Sequence, residues 1–196
     1  MDAFELMRTR RSTRKYKDAP LQAELIKKVV EAGRYAPSGS NSQSTHFIVI
    51  TDRAALDTLS KLVMEQFALW ETKPGMYPAM ARAVTASKRE NYTFHYNAPV
   101  LAVLANKKDY TNNLADCALA AENMMLMANA LDLGSCYINQ LKWLNENDVI
   151  NEYLMSLGMK PDERVFVSVA LGYADTEDGL PVREPLARKG NPVTMI

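Results

Sequence analysis

Along the chain, segments whose hydrophobic residues have the spacing of a helix alternate with short apolar runs of the length of a strand. Leu25, Ile26, Val29 and Val30 share one face of a predicted amphipathic helix that ends before Pro37. Elsewhere, short apolar runs that are often β-branched are typical of buried strands. The pattern predicts helices over residues 2–7, 21–35, 53–63, 112–131 and 145–157, and strands over 48–50, 99–105, 135–140 and 164–171.

Capping residues support the ends of several of these elements. Asp2 and Asp52 each precede a predicted helix, where a carboxylate can accept hydrogen bonds from free backbone N–H groups. Gly134 and Gly158 each follow a helix and are predicted to end it, because glycine adopts the left-handed conformation readily.

The pattern changes in two segments. Residues 64–96 are rich in methionine and aromatic side chains and are interrupted by Pro74 and Gly75. Such a segment can be plain core, or it can form a lid or pocket wall over a planar ligand, and the composition slightly favours the wall. Residues 179–196 contain three prolines and no helical period, which predicts an extended arm.

The predicted helix over residues 112–131 is apolar or small on nearly every side. It carries Leu114, Cys117, Met124 and Met125 among several alanines. A helix of this kind lies at the centre of a protein or at a subunit interface.

Length and composition are those of one globular domain. The chain has 196 residues, 47% of them hydrophobic and 23% charged, and the formal net charge is zero. This balance gives no reason to expect nucleic acid or a membrane surface as a partner. Because we find neither an apolar signal core nor an apolar run long enough to span a bilayer, we expect a cytoplasmic protein.

The cysteines and histidines do not indicate a metal or thiol site. Cys117 and Cys136 have neither CxxC spacing nor histidines nearby, and their apolar surroundings predict reduced packing residues rather than catalytic thiols. His46, beside the first long strand, is expected to be structural. His95, in the aromatic segment, either has a structural role or touches substrate, and the structural role is favoured.

Residues 8–17 concentrate positive charge in an otherwise balanced chain. Six of these ten residues are basic, with serine and threonine hydroxyls between them. Guanidinium groups pair with phosphate oxygens and hydroxyls add further donors, so this composition suits phosphate binding. A solvated basic face would have the same composition. Nucleic acid is a weaker alternative, because no second basic stripe or aromatic platform accompanies the segment.

Residues 36–47 form a loop of small polar residues between a helix and a strand. Pro37 disfavours helix at Ala36, and Gly39 allows backbone angles that other residues avoid. The loop could bring several N–H groups and short hydroxyls against a ligand. Taken alone, it is better explained as an ordinary helix-to-strand connection.

Three motifs now stand in order: RTRRSTRKY at 8–16, APSGSNSQ at 36–43 and LGSCYINQ at 133–140. Their order and spacing resemble the FMN-dependent nitroreductase family of flavin oxidoreductases, over essentially the whole chain. The resemblance implies an α+β fold, a mostly antiparallel central sheet flanked by helices, in one domain over 1–196. It also implies a domain-swapped homodimer that exchanges the arm 179–196 and builds two FMN sites from both chains.

The resemblance assigns cofactor-binding residues by position. The basic motif would hold the flavin phosphate and ribityl chain, completed by Arg188 with Lys189 as a helper. The loop at 37–43 would reach along the isoalloxazine ring of the partner's FMN. The implied set is Arg10, Arg11, Ser12, Arg14, Pro37, Ser38, Gly39, Ser40, Asn41, Gln43, Asn91, Asn139, Gln140, Arg188 and Lys189, with no metal ligand.

At the ring itself, the resemblance implies that amide side chains make the polar contacts. Asn91 would face the polar edge of the ring, and Asn139 and Gln140 would stand beside its redox nitrogen N5. Phe94 falls near a position where some members have a lysine, so this chain departs from that version of the ring's pyrimidine-edge contacts.

The implied function is a ping-pong oxidoreductase. NADH or NADPH would give a hydride to FMN, and an electron-poor acceptor such as a nitroaromatic or a quinone would then be reduced. No catalytic side chain is implied, because the cofactor carries the hydride chemistry. Two alternatives stay open: a specialised flavin dehydrogenase or dehalogenase-type enzyme of the same fold, and a non-catalytic module that binds or stores FMN.

Overall fold

Residues 2–196, which the computed structural model describes, form a four-stranded sheet with helices on both of its faces. A short 3₁₀ turn at Gly39–Asn41 interrupts the loop before the first strand. The helices are α1 (Ala3–Thr9), α2 (Ala23–Arg34), α3 (Arg53–Ala68), α4 (Pro78–Ser87), α5 (Asn113–Ala130), α6 (Gln140–Trp143) and α7 (Asp148–Ser156). The strands are β1 (His46–Ile50), β2 (Val100–Lys107), β3 (Gly134–Ile138) and β4 (Glu163–Gly172).

The strand order is β1-β2-β4-β3, and all three strand pairs are antiparallel. The last strand in the sequence therefore lies between two earlier ones. Leu101 pairs with Ala170 in the centre of the sheet, and a bulge between Leu104 and Ala105 shifts the register of β2 against β4. The predicted α+β fold with a mostly antiparallel sheet is confirmed.

Both faces of the sheet are buried, because side chains alternate along each strand. On β2, Leu101 and Val103 join the core beneath α3 and α7, whereas Val100, Ala102 and Leu104 join the core beneath α2 and α5. A strand covered on both faces is apolar without alternation, as the run at 99–105 is.

Three of the four predicted caps are confirmed. The carboxylate of Asp2 accepts from the N–H of Glu5 at 2.9 Å, and that of Asp52 accepts from the N–H of Ala55 at 2.8 Å. Gly158 follows α7 with a φ of +108°, a conformation that side chains disfavour.

The prediction that Gly134 ends α5 is wrong. The left-handed residue after that helix is Asp132, with a φ of +61°, and Gly134 is the first residue of β3. Glycine is needed at 134 for a different reason. A Cβ there would lie 2.7 Å from Cγ2 of Thr13, so the basic segment can approach β3 only because this side chain is missing.

Residues 64–96 turn out to supply both core and pocket wall. Phe67 and Phe94 are fully buried in the core, while Tyr92 and Tyr96 line a large cavity. Helix α4, which lies within this segment, was not predicted, because it is only ten residues long and follows the interruption at Pro74 and Gly75.

Helix α5 occupies the predicted central position. Ala121 and Met124 are fully buried against the sheet, whereas Leu114 and Leu119 on the same helix are exposed. The arm at 179–196 has no helix or strand, and Val193 and Met195 near its end are exposed. Exchange of this arm within a homodimer stays a prediction.

Candidate functional site

The basic segment extends the sheet beyond β3. Ser12 forms a parallel bridge with Ser135, and the N–H of Thr13 donates to the carbonyl of Ser135 at 2.8 Å. A few residues on, the N–H of Lys17 donates to the carbonyl of Tyr173 at 3.0 Å. Backbone bonds thus hold the segment along the sheet edge, and its side chains are free to line a site.

Five arginines converge on a cavity of about 180 Å³, which we call the basic cavity. No acidic side chain within residues 2–196 contributes to its lining. Two of the arginines have acidic neighbours outside the lining: Arg8 pairs with Glu5 at 2.8 Å, and Nε of Arg10 lies 3.7 Å from the exposed carboxylate of Glu122. The other three arginines form no ion pair with a described residue, and this positive charge in one concave surface favours an anion. The lining consists of Arg8, Arg10, Arg11, Ser12, Arg14, Leu186 and Arg188.

A second cavity of about 880 Å³, the large cavity, adjoins the basic cavity, since Arg14 lines both. It collects the three predicted amides Asn91, Asn139 and Gln140 from two distant parts of the chain. The predicted site residues of the first and third motifs are therefore brought together within one chain.

Aromatic side chains and α4 form the walls of the large cavity. Tyr92, Tyr96 and Trp143 line it, and the ring of Trp143 packs edge-on against Phe67 and Tyr77 at centroid distances of 6.3 and 6.2 Å. The amide of Gln140 donates to the hydroxyl of Tyr92 at 3.3 Å. Burial raises the pKa of Tyr92 more than this hydrogen bond lowers it, so the phenol is neutral and able to donate.

Two residues of the large cavity have an unusual backbone conformation. Tyr96 and Asn97 both line it and both have a φ of +57°, in the left-handed region. Such conformations are costly for a bulky residue and persist where the surrounding structure imposes them, most often at functional sites.

The second motif lies elsewhere in this chain. Pro37, Ser38 and Gln43 line a separate cavity of about 120 Å³, none of whose lining residues lines the large cavity. Ser40 and Asn41 have φ values of +53°, so this loop too is held in an unusual conformation. That the loop acts on a partner's site stays a prediction.

A buried carboxylate holds this loop against α5. Asp116 is only 4% exposed and accepts from the N–H of Gly39 at 3.1 Å and from the hydroxyl of Tyr110 at 3.1 Å. A Cβ at Gly39 would meet the side chains of Asn112 and Tyr110 at 2.0 and 2.7 Å. The loop therefore fits α5 closely only with glycine at this position.

Phe94 and Lys189, which the resemblance also names, line neither the basic nor the large cavity. Phe94 is buried in the core and does not face the large cavity, where Tyr92 and Thr93 contribute instead. Lys189 is not among the residues that line the basic cavity.

The histidines have structural surroundings, as predicted. Nδ1 of His46 lies 2.8 Å from a carboxylate oxygen of Glu163. Burial alone would raise the pKa of Glu163, but hydrogen bonds from His46 and from the N–H of Lys160 lower it below the ordinary value. His95 is fully buried edge-on to Phe94, and burial lowers its pKa to about 4.

Both cysteines are buried free thiols, as predicted. Burial raises the pKa of Cys117 to about 12 and that of Cys136 above its ordinary value. A thiol that stays protonated is a poor nucleophile. Within residues 2–196, three or more His, Cys, Asp or Glu side chains nowhere cluster as metal ligands. Likewise, no helix of these residues is long and apolar enough to cross a membrane.

Comparisons with known proteins agree on one family. The model of the Nitroreductase family matches residues 7–173. A protein of Archaeoglobus fulgidus, provisionally named NADH dehydrogenase/NAD(P)H nitroreductase, is 30% identical over 176 residues, covering 90% of this chain and 87% of the relative. The nitrobenzene nitroreductase of Ectopseudomonas oleovorans is 25% identical, covering 87% of this chain and 86% of that one. A crystal structure of a nitroreductase with bound FMN from Bacteroides fragilis superimposes with a TM-score of 0.87 at 30% identity, covering 100% of both chains.

Proposed function

Because the chain belongs to the nitroreductase family, we propose that it is an FMN-containing oxidoreductase that uses NADH or NADPH to reduce an electron-poor acceptor. One observation carries this proposal: the basic cavity and the large cavity meet at Arg14. A compact anion site that opens into a wide, aromatic-walled cavity suits a planar ligand with a phosphate tail. The nitroreductase of Bacteroides fragilis, whose structure contains FMN, supports the choice of ligand.

The side chains that line the two cavities carry chemical groups that suit the parts of FMN. Arg10, Arg11, Arg14 and Arg188 would pair with the phosphate, and the hydroxyl of Ser12 would add a donor. At the wider end, the amides of Asn91, Asn139 and Gln140 would donate to and accept from the polar atoms of the ring. When bound, FMN would supply the hydride chemistry, so the chain's own task is to bind, orient and shield.

Shielding falls to α4 and the segment that follows it. The alanines of α4 and the rings of Tyr92, Tyr96 and Trp143 give the large cavity an apolar wall. Apolar walls exclude water and so lower the dielectric constant around a transferred charge. The neutral phenol of Tyr92, held by Gln140, is placed to donate to a polar group of the cofactor or acceptor.

We propose that the remaining motif, the loop at 37–43, acts within a homodimer. The loop at 37–43 does not reach the large cavity of its own chain, so we propose that it completes the site of a partner. The exposed Leu114 and Leu119 on α5 and the apolar end of the arm support an interface there.

The proposal is tested by the visible absorption spectrum of the purified protein, followed by anaerobic addition of NADPH and then NADH. We expect a flavin spectrum that bleaches on reduction and recovers when a nitroaromatic or a quinone is added. A flavin that binds but is not reduced would instead indicate a binding or storage module. Reduction without turnover of generic acceptors would indicate a specialised enzyme of the same fold. A protein that cannot be reconstituted with FMN would refute the proposal.

A further inference from the structure

One buried amide on α5 contacts both of the segments that line the basic cavity. Asn129 is 3% exposed, and its Nδ2 donates to the carbonyl of Leu6 and to the hydroxyl of Thr9, each at 3.1 Å. Helix α1 ends at Thr9, immediately before Arg10. The amide therefore fixes the point from which the basic segment departs.

The other end of the same amide holds the arm. Oδ1 of Asn129 accepts from Nε of Arg183 at 3.1 Å, and the guanidinium also donates to the backbone carbonyl of Asn129 and to Asp132 at 2.6 Å. Because arginine can only donate, these contacts fix which end of the amide is oxygen. The carbonyl of Asn129 lies in the last turn of α5, where a cation is favourable. We call Asn129, Asp132 and Arg183 the junction.

From the junction, a short and stiff stretch of the arm leads to the basic cavity. Pro181 and Pro185 flank Arg183 and restrict the backbone on either side. The carbonyl of Glu184 accepts from Nη1 of Arg11 at 2.5 Å. Leu186 and Arg188 then line the basic cavity.

The basic cavity needs such a support when it holds no anion. Its five arginines repel one another, and no acidic side chain within residues 2–196 lines it. Arg188 makes no ion pair with any described residue, so the hydrogen bond from Arg11 to the carbonyl of Glu184 is all the polar support that the described cavity residues give the arm.

We propose that the junction is a positioning device for anion binding: it holds Arg188 opposite the basic segment, and so sets the affinity for the cofactor's phosphate. The inference rests on the proposed function. Arg183 touches neither cavity and acts only through the residues that it places. Replacing Arg183 should therefore weaken the binding of a ligand that has a phosphate and leave the binding of the same ligand without a phosphate unchanged.

The experiment compares FMN with riboflavin, which lacks the phosphate, by fluorescence titration of the apoprotein. Arg183→Met should weaken FMN binding about tenfold or more, the effect of losing a charge-assisted contact, and should leave riboflavin binding within about twofold. In an Arg188→Met background, Arg183→Met should cause no further loss. Arg53→Met, which removes an exposed arginine paired with Asp57 on α3, is the matched control and should change neither affinity.

A second, milder variant keeps the test valid if Arg183→Met does not fold. Asp132→Asn keeps a residue type that tolerates the left-handed conformation and removes only the charge facing Arg183. It should weaken FMN binding, by a smaller factor than Arg183→Met does.

The outcomes separate this inference from the proposed function. Equal losses for FMN and riboflavin, additive effects of Arg183→Met and Arg188→Met, or unchanged FMN affinity would each overturn the positioning role. A wild-type protein that binds neither flavin would overturn the proposed function instead.

Discussion

The carboxylate of Asp116 accepts a hydrogen bond from the backbone N–H of Gly39 across 3.1 Å, and so ties the polar loop to α5. The same carboxylate accepts from the hydroxyl of Tyr110. The hydroxyl of Ser42 donates to it as well, at 3.4 Å, and a buried carboxylate is favourable only while its donors remain in place. The conformation of the loop thus depends on one acidic side chain far from it in sequence.

Asp116→Asn tests this dependence with almost no change of shape. We expect the free energy of unfolding to fall by about 1–3 kcal/mol, because charge-assisted bonds become neutral and one donor loses its acceptor. Urea denaturation measures the change. Asp109→Asn, at an exposed aspartate nearby, is the control, and equal effects of the two variants would contradict the anchoring role.

Arg10→Ala tests the basic cavity directly. Loss of one arginine–phosphate contact should cost about 1.5–3 kcal/mol, which corresponds to FMN affinity about 10 to 150 times weaker. The dissociation constant of FMN is measured by fluorescence titration. Arg53→Ala is the control, because Arg53 pairs with Asp57 on α3 and lines neither the basic nor the large cavity. Unchanged FMN affinity in Arg10→Ala would show that the phosphate binds elsewhere.

Gly134→Ala should displace the basic segment from β3. The added Cβ would lie 2.7 Å from Cγ2 and 2.8 Å from Oγ1 of Thr13, a clash that costs on the order of 1–3 kcal/mol. Thermal unfolding and FMN affinity should both decrease. The double variant Thr13→Gly with Gly134→Ala removes the clashing atoms and should recover part of both. If it recovers neither, the close approach to Thr13 is not the reason for glycine at this position.

Acid should destabilise the fold through His95. Its pKa is lowered to about 4, chiefly by burial and further by Arg53, with Asp57 opposing, whereas an unfolded histidine titrates near 6.5. Between these values the unfolded chain binds a proton that the folded chain does not. Stability should therefore decrease as the pH falls from about 6.5 to 4, by about 3 kcal/mol in total.

The contribution of His95 is isolated by comparison with His95→Leu. Free energies of unfolding from urea titrations at several pH values give a slope for each protein, and the carboxylates contribute to both. The wild-type slope should be the steeper over this range. Parallel slopes would mean that His95 remains accessible to protons in the folded state.

Elements whose signals are local could be predicted from the sequence. The caps Asp2 and Asp52 act on N–H groups within the next turn, and the amphipathic α2 and the apolar β2 show their burial in their own spacing. Helix α4 was missed because it has only ten residues and lies in a segment already interrupted by Pro74 and Gly75.

The residues of the site that were not predicted from the sequence have partners that are far from them along the chain. Asp116 and Asn129 lie on the buried face of α5, which is otherwise apolar or small, and a polar residue on such a face is a signal that could have been followed. Their partners, Gly39 and Arg183, are not evident from spacing. The grouping of Asn91 with Asn139 was expected from family resemblance alone, since only the folded sheet brings those segments together.

The central position of β4 has a consequence for the order in which this protein matures. Strand β3 pairs only with β4 among the four strands, and the basic segment in turn bridges to β3. During synthesis the arginines of the basic segment, which precede β4 in the chain, have no sheet edge to join until β4 has been translated and inserted. Under the proposed function, cofactor loading is therefore a late event that depends on completion of the sheet, and a nascent chain that stops before β4 should be unable to retain flavin.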